Sequence, residues 1–253
     1  MLCSEYRQPG TPKAAEQRVG LMVPSSNTGI ETEFARSLPR DITIHSARLP
    51  LFASVEPKAI ELMSQDIENA SRLLATAAVD LLFVGATVPS LLKGVGHDKQ
   101  MIARIRELTG IRATTTSTAV IDSLTELGVR KLVLGTPFVE PMNVPIVAFL
   151  EASGFQVIAA KGLGYGDNVE IGRLPAESAY ELARELHHPD SEAFLFACTN
   201  WRILPAIERI EAEFGRPVVT SNQASLRGVL CALGRPAHLP GCGRLLDCIL
   251  RHR

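Results

Sequence analysis

The sequence has few aromatic residues, no long apolar run and no excess charge of either sign. Aromatic residues make up 5% of the 253, too few to predict stacking platforms for nucleic-acid bases. Lysine and arginine number 26 against 27 aspartate and glutamate, a net charge of −1. No apolar run approaches the ~20 residues of a membrane span. We therefore expect neither a nucleic-acid nor a membrane partner.

The sequence also lacks a pattern for disulfides, metal or nucleotide binding. Its five cysteines are odd in number and show no framework spacing; they are Cys3, Cys198, Cys231, Cys242 and Cys248. The first 17 residues have no apolar signal core, so we expect free thiols and a cytoplasmic location. No Cys/His cluster has metal spacing, and the glycines of 162-GLGYG-166 lack the dinucleotide-binding spacing. We expect no cofactor and no metal.

The sequence does contain a regular alternation of strands and helices. Apolar residues are 46%, enough for a large core. Short apolar runs, typical of buried parallel strands, occur at 18–23, 42–47, 79–85, 112–116, 131–136, 155–160, 193–197 and 217–221. Longer amphipathic stretches between them, such as 57–78, 97–108 and 202–214, predict helices. The alternation predicts an α/β fold with parallel sheets.

The halves of the chain resemble each other. Residues 80–92 align with 192–204, 18–26 with 131–139, 42–48 with 155–161, and 110–119 with 215–224. Matches in the same order indicate two copies of one unit. We predict two pseudo-symmetric Rossmann-like lobes, the first comprising 18–111 and 222–253 and the second 112–221, after a flexible tail of residues 1–17. A divergent single Rossmann-like domain is the alternative.

In two such lobes, the residues that follow the strands should converge on one cleft, because ligands bind at the carboxyl ends of parallel strands. Cys198 follows a strand in Phe-Ala-Cys-Thr-Asn and precedes a predicted helix, whose N-terminus would favour a thiolate. Its pseudo-symmetric equivalent is Ala86, so the cleft would hold one thiol where two could work on opposite faces of a carbon. The alternative for Cys198 is a structural cysteine of the core.

Polar groups follow two further strands. Ser25 and Asn27, in 24-PSSNTGIETE-33, could cradle an anionic group with helix N–H groups or could simply cap a helix. The loop 162–172 could cover the cleft and present Asn168.

Several stretches resemble a known superfamily. They are VGLMVPSSNTGIETE, DLLFVGATVPSLLKG, TTTSTAVIDSLTELGVRKLVLGTPFVEPMN, GLGYGDNVEIGRL and FACTNWR, and they extend from Arg18 to about Leu246. Together they resemble the aspartate/glutamate racemase superfamily, in its branch of maleate cis–trans isomerases and arylmalonate decarboxylases. The resemblance implies two α/β lobes with a cofactor-free site between them, a small carboxylate substrate, and a homodimer or larger assembly.

The resemblance also implies roles for single residues. Ala86 stands where isomerases have their first, nucleophilic cysteine, and decarboxylases likewise lack that cysteine. Cys198 matches the cysteine that protonates an enediolate as CO₂ leaves. Thr87 and the Val88 backbone match the donors that hold the remaining carboxylate.

The chain departs from both groups. Thr199, Asn200, Asn27 and Asn168 look like the dicarboxylate-binding residues of isomerases, whereas Phe138 replaces a substrate-binding tyrosine. This mixture is similar to decarboxylase-like proteins encoded with ectoine-utilisation genes. We expect a lyase that removes CO₂ from a small malonate-like or amino-dicarboxylate compound. An isomerase or racemase, and a non-catalytic carboxylate-binding protein, are the alternatives.

Overall fold

The computed structural model describes residues 16–52, 54–87 and 93–247. The expected tail lies outside the described residues except for Glu16 and Gln17, and so do Val88, Cys3 and Cys248. Within these ranges, no helix has both the length and the apolar character to cross a bilayer.

The predicted strands form two parallel four-stranded sheets. The first sheet has the order β2-β1-β3-β4, with β1 at Gln17–Pro24, β2 at Ile42–Leu49, β3 at Leu81–Val84 and β4 at Ala113–Thr115. The second has the order β6-β5-β7-β8, with β5 at Lys131–Phe138, β6 at Gln156–Tyr165, β7 at Ala193–Phe196 and β8 at Val218–Thr220. The identical order in both sheets confirms the two-lobed α/β fold predicted from the internal repeat.

Helices surround both sheets. In the described residues they are α1 (Gly29–Ser37), α2 (Pro57–Gln65), α3 (Ile67–Ala75), α4 (His97–Thr109), α5 (Thr116–Glu126), α6 (Glu140–Ala152), α7 (Asn168–Ile171), α8 (Glu177–Leu186), α9 (Ile207–Phe214), α10 (Ser221–Ala232) and α11 (Arg244–Asp247). A 3₁₀ turn at Leu204–Ala206 precedes α9. The single helix predicted over 57–78 is divided at Asp66 into α2 and α3.

Period-two burial on β1 explains why the first sheet needs helices on both sides. Val19, Leu21 and Val23 pack with α10 on one face, whereas Met22 packs on the other face with the core shared by both lobes. All four side chains are fully buried. A central strand that is apolar on both faces must be covered twice.

Helices α5 and α10 cross between the lobes, since each packs against the lobe that does not contain the strand before it. Strand β4 pairs with β3 in the first sheet, yet α5, which follows it, places Val120 and Leu124 in the core shared by both lobes and contacts β8 of the second sheet. Helix α10 follows β8 of the second sheet but packs on the first. The lobe boundary between residues 111 and 112 stays a prediction; β4 follows it directly and pairs with the first sheet.

Candidate active site

The post-strand residues of both lobes converge on one cavity of about 40 Å³. Its lining comprises Pro24, Asn27, Leu51, Val55, Ile60, Met63, Ala86, Thr87, Phe138, Asn168, Cys198 and Thr199. Most of the predicted site residues are thus brought together. Ser25 and Asn200 lie behind the lining, and Val88 lies outside the described residues.

Cys198 is a buried thiol in the turn that follows β7, with 5% of its surface exposed. The backbone N–H of Asn200 donates to its Sγ at 3.4 Å. Burial raises the pKa of Cys198 to about 12, since desolvation outweighs the hydrogen bonds from the Asn200 and Trp201 backbone. The side chain is therefore a protonated thiol at neutral pH.

This protonation state differs from the thiolate expected from the sequence. The first helical residue after Cys198 is Leu204, in the 3₁₀ turn. The predicted helix N-terminus is thus too far along the chain to lower the pKa of this thiol, because the dipole effect is confined to the first turn. Burial decides the protonation state instead.

Ala86 follows β3, is 3% exposed and lines the same cavity as Cys198. Among the described residues Cys198 is the only cysteine in this lining. Phe138 adds an apolar ring where a tyrosine would add a hydroxyl. The lining also holds no Lys, Arg or His among the described residues, so a bound carboxylate would meet neutral donors.

Asn27 caps helix α1, one of the two roles considered from the sequence for its segment, and also contacts the other lobe. Its Oδ1 accepts from the backbone of Gly29 at 2.9 Å and of Ile30 at 3.2 Å, which caps the first turn of α1. Its Nδ2 donates to Thr199 Oγ1 at 2.9 Å across the two lobes. Thr199 Oγ1 in turn donates to the carbonyl of Gly85 at 3.2 Å.

Asn200 joins loops rather than facing the cavity. Its Oδ1 accepts from the backbone of Thr28 at 2.8 Å and of Gly29 at 3.0 Å, and its Nδ2 donates to the Asn168 carbonyl at 2.5 Å. A Cβ at Gly29 would lie 2.7 Å from the Asn200 carbonyl oxygen, so this approach requires glycine. Asn168 Nδ2 completes the link by donating to Ser26 Oγ at 2.9 Å.

Ser25 supports the apolar wall of the cavity. Its Oγ donates to the Leu51 carbonyl at 3.1 Å and accepts from the Leu51 N–H at 2.9 Å. This pair of bonds fixes the start of the segment that supplies Leu51 and Val55 to the lining. The structure thus places Ser25 as a support for the wall.

Thr87 is anchored by helices α5 and α10. Its Oγ1 shares a hydrogen bond with Ser221 Oγ at 3.0 Å, and its carbonyl accepts from Ser117 Oγ at 3.0 Å. Ser221 begins α10, and Ser117 lies in the first turn of α5. Neither serine was predicted as a site residue, although the repeat between 110–119 and 215–224 contains the signal for both.

A buried pair behind the Cys198 turn was not predicted either. Asn222 Nδ2 donates both to Glu33 Oε2 at 2.6 Å and to the Thr199 carbonyl at 3.0 Å. Glu33 also accepts from the Leu204 N–H at 3.1 Å. Burial raises the pKa of Glu33 to about 7, against the opposing effects of Asn222, Leu204, Arg202 and Arg36. No local pattern in the sequence signals this pair, since its members are far apart in the chain.

No metal-binding cluster of three or more His, Cys, Asp or Glu side chains occurs among the described residues.

Comparison with known proteins finds relatives of two kinds, arylmalonate decarboxylases and maleate isomerases. Residues 19–246 match the arylmalonate decarboxylase family. The chain is 31% identical to a maleate isomerase of Nocardia farcinica, over 91% of this chain and 95% of that protein. It is 28% identical to an arylmalonate decarboxylase of Bordetella bronchiseptica, over 93% and 98% respectively.

Solved structures show the same fold. A cysteine-to-serine mutant of the Nocardia farcinica maleate cis–trans isomerase, with a covalently bound succinylcysteine intermediate, superimposes with a TM-score of 0.87. It is 29% identical, with coverage of 91% of this chain and 98% of that one. The matched family extends over both sheets and every residue of the cavity described above. This chain therefore belongs to the arylmalonate decarboxylase family of enzymes, which it shares with relatives that include maleate isomerases.

Proposed function

We propose that this protein is a cofactor-independent decarboxylase that removes CO₂ from a small malonate-like or amino-dicarboxylate compound. The observation that carries the proposal is the buried, protonated thiol of Cys198, the only thiol that the described residues bring to the cavity, with Ala86 at the pseudo-symmetric position. A thiol with a raised pKa holds its proton at neutral pH, so it is suited to act as a general acid.

The proposed reaction uses the two walls of the cavity differently. The apolar wall of Leu51, Val55, Ile60 and Met63 would desolvate the carboxylate that leaves. Desolvation destabilises this charged group relative to neutral CO₂ and so favours its loss. As that C–C bond breaks, its electron pair remains on the substrate as an enediolate and CO₂ departs. Cys198 Sγ then gives its proton to the α-carbon, and water returns a proton to the sulfur.

Neutral donors would hold the carboxylate that stays. Thr87 and Asn168 present a hydroxyl and an amide at the cavity, and fixed donors that meet developing charge stabilise a transition state. The small cavity favours a compact substrate. The resemblance to proteins encoded with ectoine-utilisation genes suggests an amino-dicarboxylate of that catabolism as one candidate.

Isomerisation is a second candidate function. The chain is more similar to the Nocardia farcinica maleate isomerase than to the Bordetella bronchiseptica decarboxylase, with identities of 31% and 28%. The amides of Asn27 and Asn168 at the cavity suit a substrate with two carboxylates. In this reaction a water or another side chain would replace the thiol that is absent at Ala86.

Proton NMR in D₂O distinguishes these functions. The purified protein is incubated separately with substituted malonates, the amino-dicarboxylate aminomalonate, maleate and, as a candidate for racemisation, 2,4-diaminobutyrate; a Cys198→Ala variant serves as the control. Loss of CO₂ with one deuterium incorporated at the α-carbon, absent in the variant, is the expected result. Deuterium exchange or alkene isomerisation without loss of CO₂ would establish the second function. Thermal stabilisation by a carboxylate without any turnover would indicate a binding protein.

A further inference from the structure

A second and larger cavity lies on the other side of Glu33. It has a volume of about 390 Å³ and is bounded by α1, the segment before α8, the 3₁₀ turn and the C-terminal segment around Cys242. The cavity at Cys198 has about 40 Å³. Pockets that hold small organic ligands start at ~300 Å³, so this second cavity has the size of a ligand site.

Two guanidinium groups give the second cavity a positive charge. Arg36 extends from α1 and Arg202 from the turn after β7, and both line the cavity. In the described part of the chain, the Arg36 side chain forms no hydrogen bond or ion pair. Arg202 Nη2 donates to the Gly172 carbonyl at 3.2 Å, which leaves its other N–H groups for a ligand. A planar guanidinium is the side chain best shaped to bind a carboxylate.

Glu33 is the acidic group of this cavity, and its oxygens are already engaged. Leu204 N–H and Asn222 Nδ2 donate to them. Even when Glu33 is ionised, the two arginines leave a net positive charge. The rest of the lining is largely apolar and includes Leu174, Pro175, Leu204 and Pro205.

We propose that this cavity is a second binding site, for a small organic carboxylate with an apolar body, and that its occupancy stabilises the turn carrying Cys198. The carboxylate would lie between Arg36 and Arg202, and the apolar body against Leu174 and Pro205. The ligand that fits this cavity has an anionic group and an apolar portion that is too large for the cavity at Cys198.

Two contacts connect this site to the active site. Arg202 donates a hydrogen bond to the carbonyl of Gly172, the residue directly after α7. Helix α7 begins with Asn168, which lines the active site. Asn222 bridges Glu33 to the carbonyl of Thr199, the residue next to Cys198. A ligand held by Arg202 and packed against Pro205, next to the Leu204 N–H that binds Glu33, would therefore restrict both segments.

The test uses 4-bromobenzoate, whose bromine can be located by anomalous scattering in crystals of the whole protein. We expect the bromine between Arg36 and Arg202, and we expect calorimetry to show saturable binding. Arg36→Ala should weaken binding about tenfold, since one charge-assisted hydrogen-bonding group is lost. Arg36 has no hydrogen-bonding partner to lose among the described residues, so this variant should fold normally. Arg40→Ala, which removes an exposed arginine just after α1, is the charge-matched control and should bind normally.

Hydrogen exchange measures the connection to the active site. Saturating 4-bromobenzoate should slow amide exchange in the peptide that covers residues 199–206, including the Leu204 N–H bound to Glu33. The same ligand should leave exchange in α4 unchanged. Bromine only in the cavity at Cys198, no binding, or equal affinity in the Arg36→Ala variant would overturn the site. Unchanged exchange over 199–206 in the occupied protein would overturn the stabilisation.

Discussion

Asn27 Nδ2 donates to Thr199 Oγ1 at 2.9 Å, and this hydrogen bond joins the turn after β1 in the first sheet to the turn after β7 in the second. Asn27 Oδ1 simultaneously caps the first turn of α1. The residue that begins a helix in one lobe therefore positions the neighbour of Cys198 in the other. Its two functions can be separated by substitution.

Asn27→Ala removes both the cap and the bond to Thr199, so we expect the free energy of unfolding to fall by about 1–2 kcal/mol. Asn27→Asp keeps the accepting oxygen for the cap but loses the donor, so it should retain more stability and still lower kcat/KM. Urea unfolding and steady-state kinetics measure the two effects. Asn69→Ala is the control, since Asn69 is exposed. Equal activity in the wild type and Asn27→Asp would show that donation from residue 27 to Thr199 is unimportant for turnover.

Cys198→Ala removes the proposed proton donor, and turnover should fall by about 10²–10⁴-fold, the usual contribution of general acid catalysis. Substrate should still stabilise the variant against heat, because the donors at Thr87 and Asn168 remain. Cys231→Ala provides the control, since Cys231 is an exposed free cysteine. Full activity of Cys198→Ala would exclude this thiol as the acid.

Ala86→Cys places a second thiol in the cavity that holds Cys198. Two thiols could act on opposite faces of the α-carbon, so we expect racemase or isomerase activity that the wild type lacks. Chiral chromatography and NMR measure this gain, with Ala86→Ser as a control of similar size. A variant that binds substrate but still only decarboxylates would show that the absent thiol is not what limits the reaction.

Glu33 predicts a pH dependence of stability. Its pKa in the folded protein is about 7, above the ordinary value of 4.5, because burial disfavours the charged form. The native state therefore binds the extra proton between these values, and its stability is full below pH 4.5 and falls as the pH rises to 7. The loss attributable to Glu33 is roughly 3 kcal/mol.

Glu33→Gln should remove that part of the pH dependence, measured by urea unfolding from pH 4.5 to 8. The charged neighbours of Glu33 remain in the variant: Arg36 on the same helix and Arg202 in the turn after β7. Glu61→Gln, at an exposed position of α2, should leave the pH dependence unchanged. An identical slope in the wild type and Glu33→Gln would contradict the assignment.

Most of the fold is predictable from the sequence because its signals are local or repeated. Short apolar runs locate the strands, and the internal repeat alone pairs Ala86 with Cys198. The convergence of residues from both lobes then follows from the geometry of parallel sheets. The sheet membership of Ala113–Thr115 is not predictable in this way, because it depends on pairing between distant segments.

Side-chain directions were the least predictable part of the site. Asn200 and Ser25 are polar residues in the expected turns, yet their hydrogen bonds go to Asn168 and Leu51. The protonation of Cys198 depends on how completely the two lobes bury it, which outweighs its position after a strand. Burial and hydrogen-bond partners are properties of the assembled fold, and a single sequence does not display them.

The packing of α10 on the first sheet also determines when the protein can fold during synthesis. The face of the first sheet formed by Val19, Leu21 and Val23 is covered by Leu226, Val229 and Leu230, which are synthesised only after every strand of the second sheet. Until then the nascent chain presents an apolar strand surface with no partner, a state that chaperones recognise and that aggregates readily. Of the two lobes, the one that is begun first is consequently completed second.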